Sequence, residues 1–112
     1  MNIDWIPDAY EAGNAGDWGP FTSRLSDDYS HHVPSLGISW KGPSEAAAGL
    51  KDIYASTGLV QSAVDVCEHG PFVIVSVLAK SNLHPDGAHA VHVFRAEGDR
   101  LVELWGIYPP LA

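Results

Sequence analysis

The second half of the chain constrains the fold most, because from Val60 to Pro109 its apolar residues recur with a period of two between short turn signals. "PFVIVSVLAK", Pro71 to Lys80, is apolar on both alternating sets, the pattern of a central strand covered on both faces. "HPDGAH" supplies an Asp-Gly turn, and "AHAVHVFRAEGDRLVELWGIYP" reads as two further strands joined by "EGDR". Ahead of them, Val64 and Val66 alternate with Asp65 and Cys67, which predicts a strand with one wet face. Strands joined by turns this short pair antiparallel, so this half is expected to form a meander.

The first half carries the helical signals. Pro7 suits a first helical turn, and Ala9, Tyr10 and Ala12 lead to Gly13 and Gly16, which weaken or end the helix. "DWGPFTSRLSDD", Asp17 to Asp28, has a capping residue type at Asp17 and Phe21 and Leu25 at helical spacing, so a second short helix is predicted, ended by Asp27 and Asp28. Tyr29 to Val33 reads as extended and is closed off by Pro34 and Gly37. "GPSEAAAGLKDIYASTG" places Ala46, Leu50, Ile53 and Tyr54 on one stripe and stops at Gly58, predicting a third helix. Helices first and strands afterwards imply an α+β domain whose curved sheet wraps a helix.

At 112 residues, 46% apolar and 18% charged, the sequence suits one compact domain over residues 1–112 rather than a disordered chain. No apolar run is long enough to span a bilayer, and no secretory leader is evident at the N-terminus. The lone Cys67 cannot form an internal disulfide, and a cytoplasmic location is expected. Fourteen acidic against six basic residues, a net charge of -8, would repel phosphate backbones, which argues against a nucleic-acid partner. Neither a membrane partner nor a cofactor is expected: no glycine-rich phosphate loop, Cys-x-x-Cys pair or activated serine or cysteine motif is present.

"AGNAGDW", "LSDDYSHHVPSLG", "KGPSEAAAGLKDIY" and "VHVFRAEGDRLVELW", in this order and spacing, resemble the SnoaL-like polyketide cyclases. These belong to the nuclear-transport-factor-2-like superfamily with ketosteroid isomerases and limonene epoxide hydrolases. The resemblance implies a cone-shaped barrel, a strongly curved antiparallel sheet wrapped around N-terminal helices and enclosing one apolar pocket, with dimerisation through the sheet. It leaves the activity open, because the fold hosts isomerases, cyclases, hydrolases and pure binders. It also places Val33 where the isomerases keep their proton-shuttling carboxylate, and "LWGIYPP", through Pro110, where epoxide hydrolases carry an aspartate. Both acids are missing here.

The resemblance sets His92 where ketosteroid isomerases hold a protonated acid against the developing oxyanion, and a histidine there can donate a hydrogen bond or shuttle a proton near neutral pH. Strand alternation puts Ala90, His92 and Phe94 on one face and His89, Val91 and Val93 on the other. A hydrogen-bonded core histidine fits the same pattern. His31 and His32 are adjacent in an extended segment and point to opposite faces. If Val33 faces the cavity, Tyr29 and His31 join it, whereas a bulge before Pro34 would bring His32 inward, so both remain candidates.

His84 and His89 bracket "PDGA" and read as solvated turn residues, since two imidazoles without a third donor make a poor metal site. Tyr10, Tyr29, Trp40 and Phe94 are expected to line the pocket, as are Val33, Val75, Leu104 and Tyr108, although bland core packing is the more frequent use of aromatics at such spacing. Glu103 and Trp105 share one face of the last strand, a candidate dimer surface.

The expected function is cofactor-free acid–base chemistry on a small apolar oxygenated molecule, of isomerase, cyclase or epoxide-hydrolase type, in secondary metabolism. In that assignment His92 polarises an oxygen or donates a proton and His31 or His32 is the base. Two other readings stand beside it: a non-catalytic binder or association module that kept the pocket and lost the acids, and a structural protein whose pocket is filled by side chains.

Overall fold

The computed structural model describes residues 1–109. The chain runs through α1 (Ile6–Asn14), α2 (Gly19–Thr22), β1 (Leu25–Val33), a 3-10 turn (Pro34–Leu36), β2 (Ile38–Lys41) and α3 (Gly42–Thr57), then β3 (Val60–His69), β4 (Phe72–Lys80), β5 (Ala88–Glu97) and β6 (Arg100–Ile107). The six strands form one sheet in the order β2-β1-β6-β5-β4-β3. β3 to β6 are the antiparallel meander read from the sequence, and β1 is laid parallel to β6.

The sheet buries one face. Val73, Val75, Val77 and Ala79 of β4 and Ala90 and Phe94 of β5 point inward at period two, while on β6 a register shift between Arg95 and Ala96 brings Leu101 and Leu104, three positions apart, both inside. α1 packs on β3 at one edge and α3 on β1 toward the other, so the sheet must curl to serve both. Trp18, just before α2, meets Tyr54 of α3 edge-on at 4.7 Å between ring centroids and closes the cone between them. α1 starts with Pro7 in its first turn, where no N–H is needed, and buries Ile6, Ala9 and Gly13 along one stripe. α3 buries Ala46 and Leu50 and leaves Ile53 and Tyr54 half-buried against the cavity.

Four expectations are corrected. α2 is one turn, not Asp17 to Asp28: Leu25 pairs with Leu101, and the burial gained in the sheet outweighs its helical spacing to Phe21. Asp27 and Asp28 therefore lie exposed in β1, where the register with β6 shifts between Leu25 and Ser30. Val64 and Val66 do not share a face, because a bulge between Ala63 and Asp65 turns Val64 outward, 65% exposed, and leaves Val66 half-buried. β4 is covered on one face only within the chain, with Phe72 and Leu78 exposed on the other.

Candidate functional site

β6 runs between β1 and β5, and its inner face sets the spacing of the histidines. Leu104 stands opposite both His31 and Phe94, while Gly106 stands opposite His92. A Cβ at Gly106 would lie 3.0 Å from Val33 Cγ2, 3.3 Å from Tyr108 Cε1 and 3.6 Å from His92 Cδ2. The missing side chain is what lets the inward residues of β1 and β5 approach across β6.

His31 and His92 are both buried and border two adjacent chambers of about 40 and 50 Å³, each large enough for ordered water or part of a small ligand. Both chambers are bordered by His31, Leu50, Gln61 and His92. The first continues between Tyr10, Trp18, Phe94 and Leu104; the second between Val33, Trp40, His84 and Tyr108. Tyr29 and Val75, expected in the lining, sit in the core instead: each is fully buried and borders neither chamber. Pro110 lies outside the described residues.

The polar atoms form two separate sets. In one, the Tyr29 hydroxyl lies 2.7 Å from His31 Nδ1. Tyr29 has no other acceptor among the described residues, so its buried O–H is satisfied only by donating to Nδ1. His31 is thereby held as the Nε2–H tautomer, and that N–H has no partner among the described residues. In the other, Tyr108 donates to Gln61 Oε1 at 2.7 Å, which uses its only proton. Tyr108 therefore accepts from His92 Nε2–H at 2.8 Å, and His92 Nδ1 accepts from the Tyr10 hydroxyl. Gln61 Nε2 donates onward to Tyr54 at 2.9 Å.

Burial keeps both imidazoles neutral. Desolvation, with repulsion from His92 and His32, lowers the His31 pKa to about 3; desolvation lowers that of His92 to about 4. His92 therefore enters its hydrogen bonds as a neutral ring, accepting at one nitrogen and donating from the other. Burial also pushes Tyr10 and Tyr29 well above the usual phenol range and Tyr54 up to about 12. The cavity is neutral, with N–H and O–H donors and no bordering carboxylate.

His32 turns to the outer face, where it stacks on Trp105 at 4.3 Å, and Trp105 Nε1 donates to Glu103 at 2.9 Å. His84 is not a solvated turn residue: it borders the second chamber with Nε2 buried. His89 is exposed on the outer face of β5, not in the turn. Among the described residues no group of three or more His, Cys, Asp or Glu is placed to hold a metal, and no helix is long and apolar enough to cross a membrane.

Three contributors escaped sequence reasoning. Gln61 joins the tyrosines, and Asn14 at the end of α1 clamps it by donating to Gln61 O at 2.7 Å and accepting from Gln61 N–H at 2.9 Å. Gly49 lies in mid-helix, where a Cβ would meet the Trp40 indole at 2.3 Å, and Trp40 in turn packs on His31 at 4.9 Å. A glycine inside a helical pattern was the available signal for the last; nothing in the sequence marked Gln61.

Among solved structures, the fold is shared with a ketosteroid-isomerase-like protein from Catenulispora acidiphila crystallised with trimethylamine (TM-score 0.81, 9% identity, 96% of this chain and 87% of that one). It is also shared with IdmH, a proposed polyketide cyclase from Streptomyces antibioticus (TM-score 0.74, 19% identity, 94% and 89%). A third neighbour is a nuclear-transport-factor-2-like protein of unknown function from Burkholderia pseudomallei (TM-score 0.80, 19% identity, 97% and 92%). No curated protein matches the sequence. The family model for the SnoaL-like domain matches residues 7–104. With its cone, its inward histidines and that match over most of its length, the chain belongs to the SnoaL-like domain family.

Proposed function

We propose that the protein performs cofactor-free acid–base chemistry, of isomerase, cyclase or epoxide-opening type, on a small, neutral, largely apolar molecule bearing a carbonyl or ether oxygen. The observation that carries this reading is His31: its Nδ1 is occupied by Tyr29, its Nε2–H has no partner among the described residues, and it borders both chambers of an apolar cavity. A neutral imidazole fixed as an N–H donor stabilises negative charge developing on a ligand oxygen, and does so more strongly where water is excluded. The roles expected from the sequence therefore exchange. His31 polarises the oxygen, and His92, with Tyr10 and Tyr108 on its two nitrogens, forms the proton relay beside it. His32 faces outward and takes no part.

Among the structural relatives, the proposed polyketide cyclase supports an oxygenated ligand, while the relative crystallised with trimethylamine, which carries no oxygen, supports only the binding of a small molecule. Polyketide-type substrates would place the protein in secondary metabolism. The exposed, free Cys67 suits a reducing compartment such as the cytoplasm. A homodimer through the outer sheet face is part of the same reading. Val91 lies opposite Ile107, and Val93 lies between Trp105 and Ile74, giving an apolar row across three adjacent strands.

The test is turnover of a panel of small ketones, 1,3-diketones and epoxides, followed by gas chromatography. Product formation that falls at least about a hundredfold in His31→Leu supports the assignment. Turnover at the parental rate in His31→Leu overturns it. A second reading, a non-catalytic binder, is favoured by the absence of any carboxylate bordering the cavity. Tight binding with ligand recovered unchanged would establish that reading instead.

A further inference from the structure

The turn between β4 and β5 sets a histidine against the cavity that the relay and the oxygen-polarising contact leave unused. Ser81 N–H bonds to His84 O at 3.3 Å, His84 N–H bonds back to Ser81 O at 3.1 Å, and Gly87 N–H bonds to His84 O at 3.0 Å. Asn82 N–H donates to Thr57 O at 2.8 Å, which docks the turn on the end of α3. A segment tied at these points holds His84 in place rather than letting it swing into solvent.

His84 borders the second chamber, and its Nε2 is buried just behind that wall without a hydrogen-bond partner among the described residues. Buried polar atoms are almost always paired, so this nitrogen is one that a ligand oxygen seated against the wall completes with a small turn of the ring. The same chamber reaches His31, whose Nε2–H also has no partner among the described residues. The walls between are apolar, with Val33, Ile53, Leu59 and Ala79 among them. Ala88 opens β5 and His92 follows four positions later, a rise of about 13 Å, so the turn stands well up the strand from the histidine pair.

We propose that His84 is a specificity-determining contact that selects ligands carrying two hydrogen-bonding oxygens across an apolar spacer, one held by His31 and the other by His84. This deepens the proposed function and rests on the cavity being the ligand site. A ligand with a single oxygen leaves His84 Nε2 as unpaired in the complex as in the free protein, whereas a second oxygen completes it. The imidazole meets a carbonyl or a hydroxyl by its choice of tautomer. Discrimination of this kind, where a polar group of the site is otherwise stranded, exceeds what an apolar wall achieves.

The test compares octan-2-one with octane-2,7-dione, alike in length and differing in the second oxygen, by NMR titration of the full chain. The dione is expected to bind about tenfold more tightly to the parent protein, the worth of one buried hydrogen bond. His84→Leu and His84→Phe are expected to abolish that preference, read as the ratio of the two ketones' affinities within each variant, and His84→Gln to restore part of it. A preference that survives both apolar variants overturns the proposal, as does an equal loss of both ketones, which marks a merely structural histidine. Equal binding of both ketones to the parent, still lost in His31→Leu, overturns the His84 assignment alone. Binding of neither ketone, or binding indifferent to His31→Leu, overturns the cavity reading and this proposal with it.

Discussion

The Tyr29 hydroxyl and His31 Nδ1 lie 2.7 Å apart, and neither atom has another hydrogen-bond partner among the described residues. This pairing fixes which face of the imidazole meets the cavity. Removing it in Tyr29→Phe leaves the buried Nδ1 without its donor, at a cost of about 1–3 kcal/mol. The His31 ring, held as the Nε2–H tautomer in the parent, is expected to become a mixture of tautomers, read from its two 15N shifts by long-range proton–nitrogen correlation. A single unchanged tautomer in Tyr29→Phe would show that something other than Tyr29 sets it.

The two buried histidines give stability a defined pH dependence. Their folded pKa values, about 3 and about 4, lie below the unfolded value near 6.5. Above that value both states are neutral and the full stability is present. As the pH falls from there toward 4, the unfolded chain takes up a proton at each site and the folded chain does not. Stability then drops by about 1.4 kcal/mol per pH unit per histidine, on top of the carboxylate contribution. Urea unfolding between about pH 6 and pH 4.5 is expected to show a slope shallower by that amount in His31→Leu than in the parent. Equal slopes would mean that His31 is protonated in the folded protein.

What was legible in the sequence followed from local periodicity. The meander, α3 and the inward set Ala90, His92 and Phe94 are all written in spacing along one strand or one helix. What was not legible depended on partners distant in sequence. Leu25 joined β1 because Leu101 was waiting for it, and nothing near Leu25 announces that. The bulge at Ala63 and Asp65 moved Val64 outward, and bulges are set by the whole sheet rather than by the residue. His84 looked like a turn residue and is one, but the docking of Asn82 on Thr57 turns it toward the cavity. The tautomers of His31 and His92 were unreadable in principle, since they depend on which hydroxyls fold against them.

Gly49 is a case where helix propensity and packing give opposite answers. In an exposed helix Gly→Ala gains about 1 kcal/mol. Here the added methyl would meet the Trp40 ring at 2.3 Å, and Trp40 is held against His31. Gly49→Ala is expected to destabilise by about 1–3 kcal/mol, the usual range for overpacking. The double variant with Trp40→Leu is expected to recover part of that loss. Stabilisation in thermal unfolding of Gly49→Ala would show that Trp40 moves aside freely.

The outer face makes the dimer measurable. Trp105 is 43% and Ile107 58% exposed in the single chain, beside Val91 and Val93 on the neighbouring strand. A face of this kind is covered in solution if two copies meet through it. Light scattering is expected to give twice the chain mass for the parent and one chain mass for Trp105→Lys with Ile107→Lys, with the fold retained by circular dichroism. A parent that is monomeric at about 100 μM, well above the usual range for stable dimers, removes the dimer from the reading.

Gln61 gives the hydrogen-bond chain its direction. Because its Oε1 takes the Tyr108 proton and its Nε2 serves Tyr54, the Tyr108 oxygen is left to accept from His92, and His92 Nδ1 is left to accept from Tyr10. Asn14 fixes the Gln61 backbone, so the side chain has little freedom to leave. Gln61→Leu keeps the volume and removes both polar atoms. Without that acceptor one hydroxyl proton is stranded in either direction, that of Tyr108 in the parent arrangement or that of Tyr10 in the reversed one, so the His92 ring is expected to become a mixture of Nε2–H and Nδ1–H tautomers. The expected readout is averaged His92 15N shifts together with a loss of about 1–3 kcal/mol for the stranded hydroxyls, while the His31 signals stay unchanged. If His92 keeps its Nε2–H tautomer in Gln61→Leu, the direction of the chain is set at Tyr10 rather than at Gln61.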